Sequence, residues 1–292
     1  MTFWAFEHDH FLPLDQVILS PADAGFTFGA TITDQCRTYR QKPFRLYDHL
    51  HRFFRSASLV GMPVPYSFER IGAILQELLE RNRKQLPAAE WTLTWLLTPG
   101  DVGYFLGRPG GLMEAQPHFL AYSYPLQTER FSLYYTQGAT VMLSRTTQSV
   151  PASVISPQIK QRSRIHWWMA EREIKSRHPQ AQALLLDSQG HFTETASANV
   201  LLVSQGKVYS PRRNNILHGI SLQVTEELCQ LCGIHFEETD LTEKDIGEAE
   251  EAFLSSTPYG IAPIGLFEDR TLPLHGPIFT QLRQAWDEYV LH

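Results

Sequence analysis

The chain has 292 residues, enough for about two domains of ordinary size and for a core that folds without disulfide or metal staples. Apolar residues make up 43% and charged residues 19%, with a net charge of −6, which excludes a disordered chain and a basic nucleic-acid footprint. No run approaches the ~18 apolar residues of a membrane span, residues 1–10 lack the features of a signal peptide, and three cysteines argue against a disulfide framework and for a reducing, cytoplasmic compartment.

Gln16 to Ser20 is a short apolar run ended by Pro21, and Gly25 and Gly29 frame aromatics that suggest a turn into a strand. The strand continues from Asp34 to Tyr39 and turns at residues 40–43. Leu50, Phe53, Phe54, Ala57 and Val60 recur at helical spacing, so residues 46–60 predict an amphipathic helix, capped by Gly61 and stopped by Pro63. A second helix is expected over about residues 67–83, then strands at 91–97 and 119–124 around a glycine-rich loop at 100–111. Beyond a polar linker at 126–130, strands are expected at 131–135 and 139–143, and a helix over roughly 162–176. Closely spaced strands follow at 183–187, 191–195, 199–203 and 207–209, then a helix at 219–231, a strand at 251–255 and a final helix at 277–290. Strands and helices mix without strict alternation, so the fold class is α+β, with an N-terminal domain at 1–125 and a larger C-terminal domain at 131–292.

Only six of the 25 basic residues are lysines, and Lys160 is set just before a helix, beside Ile159 and within a turn of Arg162 and Arg164. Neighbouring cations and partial burial lower an amine's pKa, as a Schiff-base lysine requires. Glu194 leaves a strand amid small polar residues, where a buried carboxylate needs a cationic partner; a pyridinium nitrogen would serve. Gly219 opens a helix whose Ile220 and Ser221 N–H groups, with the Ser221 hydroxyl, would cradle an anion. Ser255, Ser256 and Thr257 end a strand with hydroxyls suited to a phosphate, and Arg52 offers either a surface ion pair or a fork for a phosphate. Each feature alone also reads as ordinary structure: a solvated lysine, a strand end, a helix start, a turn. Cys229 and Cys232 form a C-x-x-C late in a predicted helix and read as helix thiols. The twelve histidines give no helical metal pair, because His8/His10 and His49/His51 would diverge on a helix, so no metal is expected.

Together, one lysine, one acid, one arginine and two anion cradles match the needs of pyridoxal 5′-phosphate. The chain resembles the class IV (fold type IV) pyridoxal-phosphate enzymes: branched-chain and D-amino-acid aminotransferases and aminodeoxychorismate lyase. The resemblance runs through Asp23-Ala24-Gly25-Phe26-Thr27-Phe28-Gly29, Pro43-Phe44-Arg45-Leu46 with His49-Leu50-His51-Arg52, Ala183 to Asp187 with Glu194 and Asn199, Leu217-x-Gly219-Ile220-Ser221, and Ser256-Thr257. It implies a two-domain fold with a barrel-like C-terminal domain, and a homodimer. It implies that Lys160 holds the cofactor as an internal aldimine and moves the proton. Glu194 would pair with the ring nitrogen, Leu217 would pack on the ring, and Arg52, Gly219, Ile220, Ser221 and Thr257 would surround the phosphate. Where the family often carries asparagine and tyrosine after the lysine, this chain has Ser163, Arg164 and Ile165, and Arg164 stands in as a cofactor contact. The tyrosine-x-arginine of branched-chain enzymes and the arginine-x-histidine of D-amino-acid enzymes are both missing, which leaves Asp34, Arg37 and Arg108 as substrate-binding candidates. The implied activity is ping-pong transamination between amino and 2-keto acids. The alternatives are the lyase, which releases pyruvate and 4-aminobenzoate, and a non-catalytic cofactor-binding homologue; Asp34 favours transamination, since the lyase tends to have threonine there.

Overall fold

The computed structural model describes residues 2–291. The chain divides into two compact units, Met1–Leu126 with Ile159–Ser163, and Gln127–Gln158 with Arg164–His292.

The first unit contains β1 (Trp4–Glu7), β2 (His10–Pro13), α1 (Ala24–Thr27), β3 (Ile32–Tyr39), β4 (Lys42–Pro43), α2 (Leu46–Leu59), α3 (Phe68–Gln85), β5 (Trp91–Thr98) and β6 (His118–Pro125). Its sheet has the order β2-β1-β6-β5-β3-β4. On β5 the alternation is direct: Trp91, Leu93, Trp95 and Leu97 are fully buried in one core with Phe53 of α2 and Ile71, Ile74, Leu75 and Leu78 of α3. Residues 24–27 form a short helix rather than the expected turn into a strand, because Asp23 caps it, its Oδ1 accepting from the Gly25 N–H at 2.6 Å. Residues 16–20 form no strand, and the β1–β2 hairpin has no counterpart among the expected elements. Its two-residue turn, His8-Asp9, has φ of +48° and +64°, a left-handed pair that asparagine and glycine usually announce.

The second unit contains α4 (Glu129–Gln137), β7 (Ala139–Leu143), α5 (Ile165–Lys175), β8 (Gln182–Leu186), β9 (Phe192–Thr195), β10 (Asn199–Ser204), β11 (Lys207–Pro211), α6 (Ile220–Leu231), β12 (Phe236–Thr239), α7 (Glu243–Glu248), β13 (Glu251–Ser256), β14 (Gly260–Phe267), β15 (Arg270–Thr271) and α8 (Pro277–Tyr289). Strands β10, β13, β14, β7, β8 and β9 succeed one another, and β9 returns to β10 through the Glu194–Asn199 pair, so six strands close into a barrel. Val141, Leu143, Leu184, Phe192, Val200, Leu254 and Ile264 form its core. The segment 131–135, expected as a strand, lies in helix α4. Phe131, Tyr134 and Tyr135 follow helical spacing onto that core, and the Tyr135 hydroxyl donates to the Tyr259 carbonyl at 2.7 Å. Gly138 ends the helix at φ +77°, where a Cβ would sit 2.5 Å from the Gly265 nitrogen. Among the described residues no helix is long and apolar enough to cross a membrane.

Candidate active site

Lys160 belongs to the first unit, although the domain division expected from the sequence puts residue 160 with the second. The reason is backbone pairing. Ile32 bridges Gln161, the Thr33 N–H donates to the Lys160 carbonyl at 2.9 Å, and the Arg162 N–H donates to the Thr31 carbonyl at 2.9 Å. The Lys160 N–H donates to the Ser56 hydroxyl at 3.1 Å, and that hydroxyl donates to the Arg52 carbonyl at 2.8 Å. Ile159 packs on the same apolar core. The half-buried Lys160 is thus anchored on both sides by main chain, against α2.

Beside it lies a buried charge cluster. Asp34, fully buried on β3, accepts from Arg52 Nε at 2.9 Å and Nη2 at 2.7 Å, from His49 Nδ1 at 2.8 Å, and from the Gln35 N–H at 2.7 Å. Because a carboxylate only accepts, the His49 proton sits on Nδ1. Burial alone would push the Asp34 carboxyl up, but Arg52 and His49 hold it well below the usual carboxylate range. Burial, with the charges of Arg52 and Lys160, pushes the His49 imidazole down, against the pull of Asp34. The oxygens of Asp34 are thus engaged by Gln35, His49 and Arg52 within the first unit. Arg52 is not a surface ion pair; it is 6% exposed and forked onto Asp34. Arg37 is buried too, its Nε donating to the Thr38 carbonyl at 2.9 Å and its guanidinium 3.8 Å from the Tyr39 ring centre. Arg108 lies exposed on the loop after β5.

In the second unit the other expected residues gather on one rim of the barrel. Glu194, half-buried on β9, accepts from Asn199 Nδ2 and from the Leu217 N–H, both at 3.3 Å. Asn199 Nδ2 also donates to the Leu217 carbonyl at 3.0 Å. Gly219 is the N-cap of α6, and a Cβ there would sit 2.4 Å from Asn199 Oδ1, so only glycine lets the helix start this close to the acid's partner. Ile220 and Ser221, each 5% exposed, occupy the first turn, whose N–H groups have no partner within the helix. Thr257 follows the end of β13, where the Ser256 hydroxyl donates to the Ser197 carbonyl at 2.5 Å. Arg164 donates to the Ala196 carbonyl in the turn after β9. Asn199 and His49 carry structural roles that their motifs contain but that spacing does not assign.

The rim fits the cofactor the sequence implies. A carboxylate held by two N–H donors suits a protonated ring nitrogen, and a 12-residue helix opening on glycine and serine suits a phosphate. Cys229 and Cys232 are free thiols of α6 and its C-cap, and burial pushes Cys229 up to about 12, which makes it inert.

A family model described as "Amino-transferase class IV" matches residues 31–267. A D-alanine aminotransferase of Listeria monocytogenes is 24% identical over 297 residues, covering 97% of this chain and 94% of its own, and one of Staphylococcus epidermidis is 25% identical over 289 residues, covering 98% and 97%. Two solved branched-chain aminotransferases share the fold. That of Thermoproteus uzoniensis, crystallised with norvaline, has a TM-score of 0.86, 20% identity and coverage of 100% of this chain and 95% of its own. That of T.th., complexed with N-(5′-phosphopyridoxyl)-L-glutamate, has a TM-score of 0.85, 20% identity and coverage of 99% and 94%. With a match over most of its length, a two-domain α+β architecture and a barrel rim built around Glu194 and α6, the chain belongs to the class IV aminotransferase family of enzymes.

Proposed function

We propose that the chain is a pyridoxal-phosphate-dependent transaminase that moves an amino group between an amino acid and a 2-keto acid in two successive half-reactions. The observation that carries this is the Asn199 contact with both Glu194 and the Leu217–Gly219 turn, which puts an acid and a helix N-terminus on one rim. When bound, pyridoxal 5′-phosphate supplies a protonated ring that takes up the electron pair left when the substrate Cα loses its proton. Glu194 keeps the proton on the ring nitrogen. Leu217 offers an apolar side to the ring, and Arg164 lies at the turn beside Glu194's strand. The N–H groups of Ile220 and Ser221, the Ser221 and Thr257 hydroxyls and Arg52 bind the phosphate. Asp34 holds the Arg52 guanidinium in one orientation. Lys160, as a neutral amine, takes the proton from Cα at Nζ and returns it. Arg37 and Arg108 are the candidate partners of the substrate carboxylate.

The same reading includes a homodimer and a cytoplasmic location. Exposed Ile18, Leu19, Phe26, Phe28, Tyr104 and Phe105 in the first unit support an apolar contact with a second copy. The free, buried Cys36 and Cys229 support a reducing compartment.

The test is borohydride reduction of the cofactor-loaded chain with mapping of the modified residue, alongside turnover of a panel of D- and L-amino acids. The expected label falls on Lys160, and Lys160→Ala loses the label and at least the ~10²–10⁴-fold that proton transfer contributes. A label elsewhere, or an unchanged rate in that variant, overturns the assignment. Pyruvate released from 4-amino-4-deoxychorismate without an amino acceptor overturns transamination in favour of elimination.

A further inference from the structure

We infer that the β1–β2 hairpin and the start of β6 form a binding site for a divalent transition-metal ion of the zinc type, ligated by Glu7, His8 and His118. One ligand atom from each of the three lies within 4.8 Å of the others. Two imidazoles and one carboxylate are a donor set for zinc, nickel or cobalt rather than for calcium or magnesium.

The arrangement is built rather than incidental. Glu7 is 6% exposed, and its Oε1 lies 2.9 Å from His118 Nε2. The other His118 nitrogen, Nδ1, faces Asp23 Oδ2 at 3.5 Å. Asp23 is itself fixed by the Gly25 N–H at 2.6 Å and the Thr98 hydroxyl at 2.8 Å. A carboxylate behind one imidazole nitrogen, with the opposite nitrogen facing a second acid, is the arrangement that orients histidine toward a metal. Ligands of a tetrahedral ion at ~2.0–2.1 Å stand roughly 3.4 Å apart, so Glu7 and His118 need separate by only about half an ångström.

His8 completes the set. Its ring lies parallel to that of His118, 9° between planes and 4.9 Å between centres. It is held there by a turn with φ of +48° and +64° at two consecutive non-glycine residues. That conformation is costly for L-residues, and such strain concentrates where a side chain must be aimed. His8 is exposed, so an ion has access from solvent. Two carboxylates beside the ion, one ligating and one behind His118, would balance its double charge.

The test is Zn²⁺ titration of the full chain as purified, after chelator treatment, by calorimetry and by elemental analysis after dialysis. One equivalent is expected. His118→Gln is expected to lose it, and Asp23→Asn to weaken it by about 10–100-fold, the usual loss when a partner behind a ligand is removed. His8→Gly guards against misfolding: glycine suits the turn, so its melting temperature without metal is expected to equal or exceed that of the parent chain, while the zinc equivalent disappears. No bound equivalent in the parent chain overturns the inference. So does an equivalent that survives in His118→Gln or His8→Gly, as zinc held by Cys229 and Cys232 would.

Discussion

Two carboxylates, Asp34 in the first unit and Glu194 in the second, both sit among N–H donors and yet differ in burial and in the charge of those donors. Asp34 is fully buried, takes four hydrogen bonds and is forked by a buried guanidinium. Glu194 is half-buried, takes neutral amide donors from Asn199 and Leu217 at 3.3 Å, and sits beside a helix start. The first is a closed cluster whose energy lies in the fold. The second is half-buried and has longer bonds from the uncharged Asn199 and Leu217 donors, which suits a cationic ring nitrogen as a partner. The comparison teaches that burial and the charge of the neighbouring donors, more than the carboxylate itself, set how tightly an acid is bound into the fold.

The contrast breaks most sharply at Asp34. Asp34→Ala takes the forked carboxylate away from a buried Arg52, and removing one partner of a buried pair costs about 3–5 kcal/mol. Thermal melting should show this as a large fall, with far-UV circular dichroism confirming a folded state at low temperature. The pH dependence sharpens it. The folded-state carboxyl is lowered relative to the unfolded chain, so its stabilisation is fully present above the ordinary Asp pKa and fades as pH falls below it. The gap between the parent chain and Asp34→Asn should therefore narrow on acidification below ~4. A gap that widens would reverse the assignment.

Glu194→Gln should do the opposite: little change in melting, and a fall in kcat of roughly 10²–10³, the scale of one lost electrostatic contact at a reacting centre. A fall in stability without a fall in rate would make Glu194 the structural acid. Next in size comes Gly219→Ala. The glycine has φ −65°, so no backbone strain arises, and the effect is purely steric: the methyl meets Asn199 Oδ1, which cannot retreat without losing Glu194 and the Leu217 carbonyl. Overpacking of this kind costs about 1–3 kcal/mol, to be read as weaker pyridoxal-phosphate binding by fluorescence titration.

How far the sequence reveals these clusters follows from range. The alternation of Trp91, Leu93, Trp95 and Leu97 and the helical spacing of Leu50, Phe53 and Ala57 are local, and both are legible. So is the Gly219 helix start, because glycine, serine and a following apolar run lie within a few residues. What stays hidden is long-range. Arg52 reads as solvent-facing because its helix stripe points elsewhere, and only β3, crossing α2, supplies Asp34. Lys160 joins the first unit through main-chain bonds of residues 160 and 162 to Thr33 and Thr31, which no side-chain pattern encodes. His118 meets Glu7 across 111 residues. The strand expected at 131–135 fails for a local reason: the aromatics at 131 and 135 fit both periods, the one at 134 fits only the helical one, and both Phe131 and Tyr134 pack on Tyr259.

The smallest effect concerns a third acid, intermediate between the other two. Glu173 of α5 accepts from the Ser144 hydroxyl at 2.7 Å, the Thr146 hydroxyl at 2.6 Å and the Arg145 N–H at 2.9 Å, pinning the loop after β7 to the helix. Its partial burial pushes the carboxyl up, but these donors outweigh that and bring it down to about 2, from 4.5. Because the folded value is the lower one, the stabilisation is present above about pH 4.5 and is lost as pH falls toward 2. Glu173→Gln keeps one acceptor oxygen and loses the charge, so about 1 kcal/mol should be missing at neutral pH, within the range of a single hydrogen bond. Chemical denaturation at pH 7 and at pH 3 checks this. The difference between parent and variant should shrink at the lower pH, and a difference of equal size at both would show that the charge on Glu173 plays no part in holding the loop.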